Sequence, residues 1–169
     1  NNLLTGISLS GASNSILRSN RVYDTGGYPN NSNRWGISVY GGDAVEVTDN
    51  IVAGVFGTPG YYNEVIGIFR GNFVDGLDVT SSRITGNRIS GLAPTGTDKI
   101  ASGISSINYG NTSGMNLFAN NDLFMTTPVV GSIGIKCRFG GVSARDNNVR
   151  GFPILIDPTC MDDGGNVTH

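Results

Sequence analysis

The sequence predicts an all-β fold, a right-handed parallel β-helix: a solenoid of about five to six stacked coils with long lateral loops. Three observations predict it. The composition disfavours helix, two short patterns repeat in strict alternation, and the spacing between them drifts while the patterns themselves persist.

The composition comes first. Among 169 residues there are 26 glycines and 19 asparagines, but only two glutamates (Glu46 and Glu64) and no glutamine. Helices are thus deprived of their best formers, while turns are well supplied. Hydrophobic residues make up 38%, lean for a compact two-layer domain. A solenoid needs little core per residue, because each coil buries its apolar side chains against its neighbours.

The first pattern is an apolar residue, two others, Asn, one other, then an apolar residue. It occurs at Leu17–Val22, from Val47 through Asn50 to Val52, at Ile84–Ile89 and at Phe118–Leu123, with a weaker copy at Ala144–Val149. Asn1-Asn2-Leu3 reads as the tail of one more, which suggests a solenoid longer than this chain. The second pattern is Gly-Ile, at Gly6-Ile7, Gly36-Ile37, Gly67-Ile68, Gly103-Ile104 and Gly134-Ile135. Each pair is expected to open a short strand with alternating inward side chains. Ile154-Leu155-Ile156 reads as a sixth strand, with Pro153 in place of glycine.

Successive Gly-Ile pairs are 30, 31, 36 and 31 residues apart. Strands are kept while connections change length, as expected where stacking fixes the coil and loops are free to vary. The connection from each Asn motif to the next Gly-Ile is long, polar and rich in Gly, Pro and Asn. The opposite connection is short, except for the insertion Arg70–Asp78 and the stretch Asn108–Gly114. The chain is read as one domain, 1–169.

These Asn-centred motifs resemble the pectate-lyase-like superfamily of right-handed parallel β-helices, over essentially the whole chain. The resemblance implies that the recurrent Asn sits in a tight turn and that its side chains stack into a hydrogen-bonded ladder. Here that ladder would be Asn20, Asn50, Asn87, Asn121 and Asn147. Asn tolerates left-handed backbone angles and can satisfy neighbouring amides, which agrees. The superfamily includes polysaccharide lyases, glycoside hydrolases, epimerases and phage tailspikes, so the motif specifies fold far better than function. A tailspike-like member would be a trimer.

Cys137 and Cys160 are the only cysteines, 23 residues apart, about one short coil. One disulfide in a secreted protein and two buried thiols both fit. Net charge is −2 with no Lys/Arg cluster, so no basic stripe for nucleic acid is present. No apolar run reaches the length of a membrane-spanning helix.

No catalytic set can be assigned. Hydrolysis requires paired carboxylates, and the Gly-His-Gly of polygalacturonase-like relatives is missing, since the only histidine is His169. The insertion gathers Arg70, Asp75, Asp78 and Arg83. Asp75 and Asp78 are candidate calcium ligands, with Arg70 or Arg83 a contact for an anionic sugar; the bland reading is a solvated loop with an ordinary ion pair. Asp162–Asn166 resembles a calcium loop only superficially, lacking a bidentate glutamate, and Asn166-Val167-Thr168 matches a glycosylation acceptor. Tyr23, Tyr28, Trp35, Phe56, Tyr61 and Tyr62 lie in or beside the long connections, which stacking should bring to one face. From these, Trp35, Tyr61 and Tyr62, with Arg34 and Arg70, are the candidate substrate-binding residues; packing of the loops is the competing explanation. The expected function is an extracellular or surface module, on a cell or a virion, structural or polysaccharide-binding like an adhesin or tail fibre. The alternative is a polysaccharide lyase or glycoside hydrolase, or a fragment of one, acting on an acidic glycan.

Overall fold

The computed structural model describes residues 4–61, 64–72, 80–95, 99–108, 115–139 and 141–169. Eighteen strands and no helix occur among them. Three strands make each of six coils. Coil 1 is β1 (Thr5–Ser10), β2 (Ile16–Arg18) and β3 (Arg21–Gly26). Coil 2 is β4 (Arg34–Tyr40), β5 (Glu46–Thr48) and β6 (Ile51–Phe56); coil 3 is β7 (Glu64–Gly71), β8 (Arg83–Thr85) and β9 (Arg88–Ala93). Coil 4 is β10 (Ile100–Ile107), β11 (Asn116–Ala119) and β12 (Asp122–Phe124); coil 5 is β13 (Ile133–Arg138), β14 (Val142–Arg145) and β15 (Asn148–Arg150). Coil 6 closes the described chain with β16 (Ile154–Ile156), β17 (Met161–Asp162) and β18 (Val167–Thr168).

Every third strand pairs in parallel, giving three six-stranded sheets: β1-β4-β7-β10-β13-β16, β2-β5-β8-β11-β14-β17 and β3-β6-β9-β12-β15-β18. They are sheets 1, 2 and 3 below. This is the right-handed parallel β-helix that the repeats predict, and its register lays like on like. In sheet 1, Ile7, Ile37, Ile68, Ile104, Ile135 and Ile156 form one continuous inward column. In sheet 3 the inward column is Val22, Val52, Ile89, Leu123 and Val149. In sheet 2 it is Leu17, Val47, Ile84, Phe118 and Ala144. From coil 2 to coil 5 these positions are sealed from solvent.

The Gly-Ile glycines lie within the sheet 1 strands rather than opening them. Pairing skips each one: Trp35 pairs with Ile66 and Ile37 with Ile68, but Gly36 and Gly67 do not pair. At this kink the glycine faces the interior next to its isoleucine. A Cβ on Gly67 would stand 2.4 Å from Ile89 and 2.6 Å from the carbonyl oxygen of Gly103. Gly36 and Gly134 would clash in the same way with Val52 and Val149. The final strand is also registered differently from the sequence expectation. Ile156 pairs with Ile135, so Leu155 takes the glycine position and Pro153 lies outside the strand.

Between sheets 2 and 3 the asparagines are bonded coil to coil. Asn50 Oδ1 accepts both the backbone N–H and the Nδ2–H of Asn20, at 2.9 and 3.0 Å. Asn87 Oδ1 does the same for Asn50, Asn121 Oδ1 for Asn87, and Asn147 Oδ1 for Asn121. Asn166 is a sixth rung, accepting the two donors of Asn147. Each Nδ2 also donates to backbone carbonyls, that of Asn87 to Val47 and Thr85. The left-handed residue is not the ladder asparagine but the one before it: Ser19, Asp49, Gly86, Asn120, Asp146 and Gly165 all have φ between 53° and 68°. That turn aims the asparagine side chain inward, where four of the rungs are fully buried.

Cys137 and Cys160 are disulfide-bonded, with Cα atoms 5.2 Å apart, tying the corner of coil 6 to β13. No helix among the described residues is long and apolar enough to cross a membrane.

Two stability outcomes are expected. Asn87→Ala removes an acceptor from two buried donors of Asn50 and should cost about 1–3 kcal/mol. Asn20→Ala, half-buried in coil 1, should cost well under that; equal shifts in denaturation midpoint would contradict the ladder. Replacing both cysteines by serine should lower stability by about 3 kcal/mol, the scale for closing a loop of this length. The unreduced protein should have the intact mass of a chain lacking two thiol hydrogens.

Candidate functional site

The strands of each sheet alternate inward and outward, so the solenoid presents three ladders of outward side chains. Sheet 1 carries three of the residues singled out by sequence, Arg34, Trp35 and Arg70. Trp35, Tyr40, Ile66, Phe69 and Ile107 form a second, smaller apolar cluster on its outer side. The Trp35 ring meets Tyr40 edge-on at 6.1 Å and Phe69 at 6.3 Å. Phe69 and Ile66 are buried, Trp35 is half-buried, and its Nε1 is enclosed. Trp35 therefore packs, as the competing explanation holds. Burial also pushes the Tyr40 phenol up to about 12. Beside this cluster the Glu64 carboxylate holds Lys136 at 2.9 Å and accepts the Ser102 hydroxyl, linking coils 3, 4 and 5.

The two arginines are placed differently from the sequence expectation. Arg34 and Arg70 are fully buried. Arg34 donates to the carbonyls of Tyr28, Asn30, Ser32 and Asn33, gathering the long connection that precedes it. Arg70 follows the inward column, donating to the carbonyls of Gly41 and Gly42 and to the Ser82 hydroxyl. A buried guanidinium is tolerable only when hydrogen-bonded, and carbonyls supply that here. Burial lowers the pKa of both, Arg70 to about 10 against the opposing pull of Asp43. Neither is a surface contact for an acidic sugar. Tyr61 is half-buried in a turn closed by its N–H donating to Thr58. Tyr62, Asp75 and Asp78 lie outside the described residues.

The acidic C-terminal stretch is engaged by the chain itself. Asp162 Oδ1 accepts from the Gly164 amide and from Asn166 Nδ2, and Asp163 Oδ2 accepts the Ser143 hydroxyl. Asn166 is a ladder rung, so its amide is occupied. No group of three His, Cys, Asp or Glu placed to hold a metal occurs among the described residues.

Sheet 3 presents the most developed exposed chemistry. Its outward residues follow each ladder asparagine by one and three positions. The first set runs Arg21, Ile51, Arg88, Asp122, Asn148 in register. Asp122 is the hub: it accepts from Arg150 Nη2 at 2.9 Å and Asn148 Nδ2 at 3.0 Å, with Arg88 Nε at 3.7 Å. The second set includes Tyr23, Ser90, Phe124 and Arg150. The Arg150 guanidinium lies 5.4 Å from the centre of the Phe124 ring. Phe124 is 40% exposed and Tyr23 51%. Polar groups beside open aromatic rings are what sugar recognition requires, since C–H faces stack on rings and hydroxyls bond to fixed carboxylate and guanidinium groups. Of these residues only Tyr23 stood out in the sequence; Asp122, Phe124 and Arg150 did not. Reading outward positions in register from the Asn motif would have found them. No protein-family model, curated protein or solved structure matches the chain.

One pH effect follows. Because the Tyr40 phenol is raised in the folded state, its contribution to stability is complete below about pH 10 and is lost as pH rises through about 12. Arg70 acts oppositely, its burial cost easing above about pH 10. Urea unfolding of parent and Tyr40→Phe should therefore show the parent losing stability relative to the variant between pH 10 and 12. Parallel curves would contradict this.

Proposed function

We propose that the protein is an extracellular or surface-displayed β-helix module that binds polysaccharide through the outer face of sheet 3. The observation that carries this reading is the Asp122 network set beside the exposed Phe124 and Tyr23 rings. Parallel stacking puts those rings three coil steps apart, roughly 14 Å, room for more than one sugar unit. Tyr28, 41% exposed in the adjoining connection, extends the same side. The Cys137–Cys160 disulfide supports an oxidising location. A repetitive, rigid scaffold with polar columns suits a polymer better than an isolated small molecule.

The lyase alternative would need an accessible base. Arg70 has a suitably lowered pKa, but it is sealed from solvent and bonded to carbonyls. Binding without bond cleavage is the better-supported role.

Glycan-array binding tests the proposal. Phe124→Ala should reduce retention of the bound glycan about tenfold, within the range that stacking contributes, while leaving the thermal midpoint nearly unchanged because the ring is exposed. Wild-type protein that retains no glycan would leave a structural spacer as the function.

A further inference from the structure

Sheet 2 carries a feature that the polysaccharide reading does not use. On its outer side, coils 3 to 5 enclose an open groove of about 360 Å³. Inward residues Ile84, Phe118 and Ala144 are buried, which turns Arg83, Leu117, Ser143 and Arg145 outward. Register fixes their order: Arg83 on β8 pairs with Leu117 on β11, which pairs with Ser143 on β14, while Arg145 pairs with Ala119 one column over. Met115, half-exposed, Ser81 and the buried Ser82 complete the wall. Arg83 and Arg145 are both exposed, and neither guanidinium has an ion-pair or hydrogen-bond partner among the described residues. Two carboxylates border this face. Glu46 is in register with Arg83 one coil earlier, and Asp163 is held by the Ser143 hydroxyl; neither lines the groove.

We propose that this groove is a second binding site, for a linear glycan bearing anionic groups on alternate sugar residues. Arg83 belongs to coil 3 and Arg145 to coil 5, two coil steps away and two residues further along its strand, so their backbones lie roughly 12 Å apart. An extended chain of pyranoses places every second substituent on the same side, at a separation the two long side chains span from there. Each guanidinium forks onto one carboxylate or sulfate. Leu117, on the coil between, and Met115 offer an apolar floor for the C–H face of the middle sugar. The inference takes its ligand class from the polysaccharide reading but shares no residue with the sheet 3 face.

Isothermal titration with size-defined oligosaccharides tests it. The probes are galacturonic acid, its linear trimer, the methyl-esterified trimer, and a sulfated trisaccharide whose sulfates sit on the first and third residues. Variants are Arg83→Gln, Arg145→Gln, Phe124→Ala, and Arg18→Gln as an exposed arginine on the same sheet at coil 1. The expected result is that an acidic trimer binds at least tenfold more tightly than the monomer or the esterified trimer, and more weakly as salt is added. Arg83→Gln and Arg145→Gln should each weaken binding about tenfold, while Arg18→Gln leaves it unchanged. Whichever acidic trimer binds identifies carboxylate or sulfate as the recognised group. If the trimer binds but only Phe124→Ala weakens it, the groove is refuted and the sheet 3 site stands. If Arg83 and Arg145 matter and Phe124 does not, the groove stands whatever becomes of sheet 3. If no acidic trimer binds, the groove is refuted, and glycan-array binding to neutral chains still decides sheet 3 separately. Thermal midpoints within a degree or so of the parent establish that the variants are folded.

Discussion

Coil-to-coil register is the constraint on which everything else rests, and the asparagine ladder is its strongest expression. Each buried Oδ1 takes two donors from the coil before, and from Asn50 onward each Nδ2 also donates to a carbonyl of that preceding coil. A slip by one residue would break both sets and turn every inward side chain outward. The ladder is also directional. Asp162 Oδ1 takes the Nδ2–H of Asn166, the rung in coil 6. In coil 1, Ile7, Leu9 and Leu17 are only partly buried.

With register held at that corner, the remaining corners can vary. A column of glycines lets sheet 1 kink against the inward residues of sheet 3, with carbonyl oxygens where a Cβ would be. The long connections are then fastened individually. Arg34 collects one connection by its carbonyls, and Arg70 clamps the turn at Gly41 and Gly42. Arginine suits this task because its five donors have a fixed planar geometry and its charge is dispersed enough to be buried among carbonyls.

Function in such a scaffold is read in columns. In register, single residues become rows with a spacing of about 4.8 Å, close to the dimensions of a saccharide chain. Sheet 1 uses its outward row for packing, through Trp35, Tyr40 and Phe69. Sheet 3 leaves its row open, and Asp122 organises three cationic or amide partners around itself. The same geometry that builds the core thus also sets the spacing of anything displayed on the surface.

The solenoid, its ladder and its core were legible in the sequence because stacking demands the same residue at the same place in every coil. Asn20, Asn50, Asn87, Asn121 and Asn147 repeat for that reason, as do the Gly-Ile pairs. Asn166 does not stand out because its repeat has Asp163 and Thr168 at the two apolar positions, and the last strand is registered differently because Leu155 replaces glycine there. The surface was far less legible, since outward positions need not repeat: Arg21, Ile51, Arg88, Asp122 and Asn148 share one column and no common chemistry. Tertiary structure alone decided that Arg34 and Arg70 are buried and that Trp35 packs. Long side chains beside glycine-rich turns can face either way, and only the carbonyls and rings brought close by neighbouring coils determine which. Which residues stack follows from the repeat, whereas which residues face solvent follows only from the folded chain.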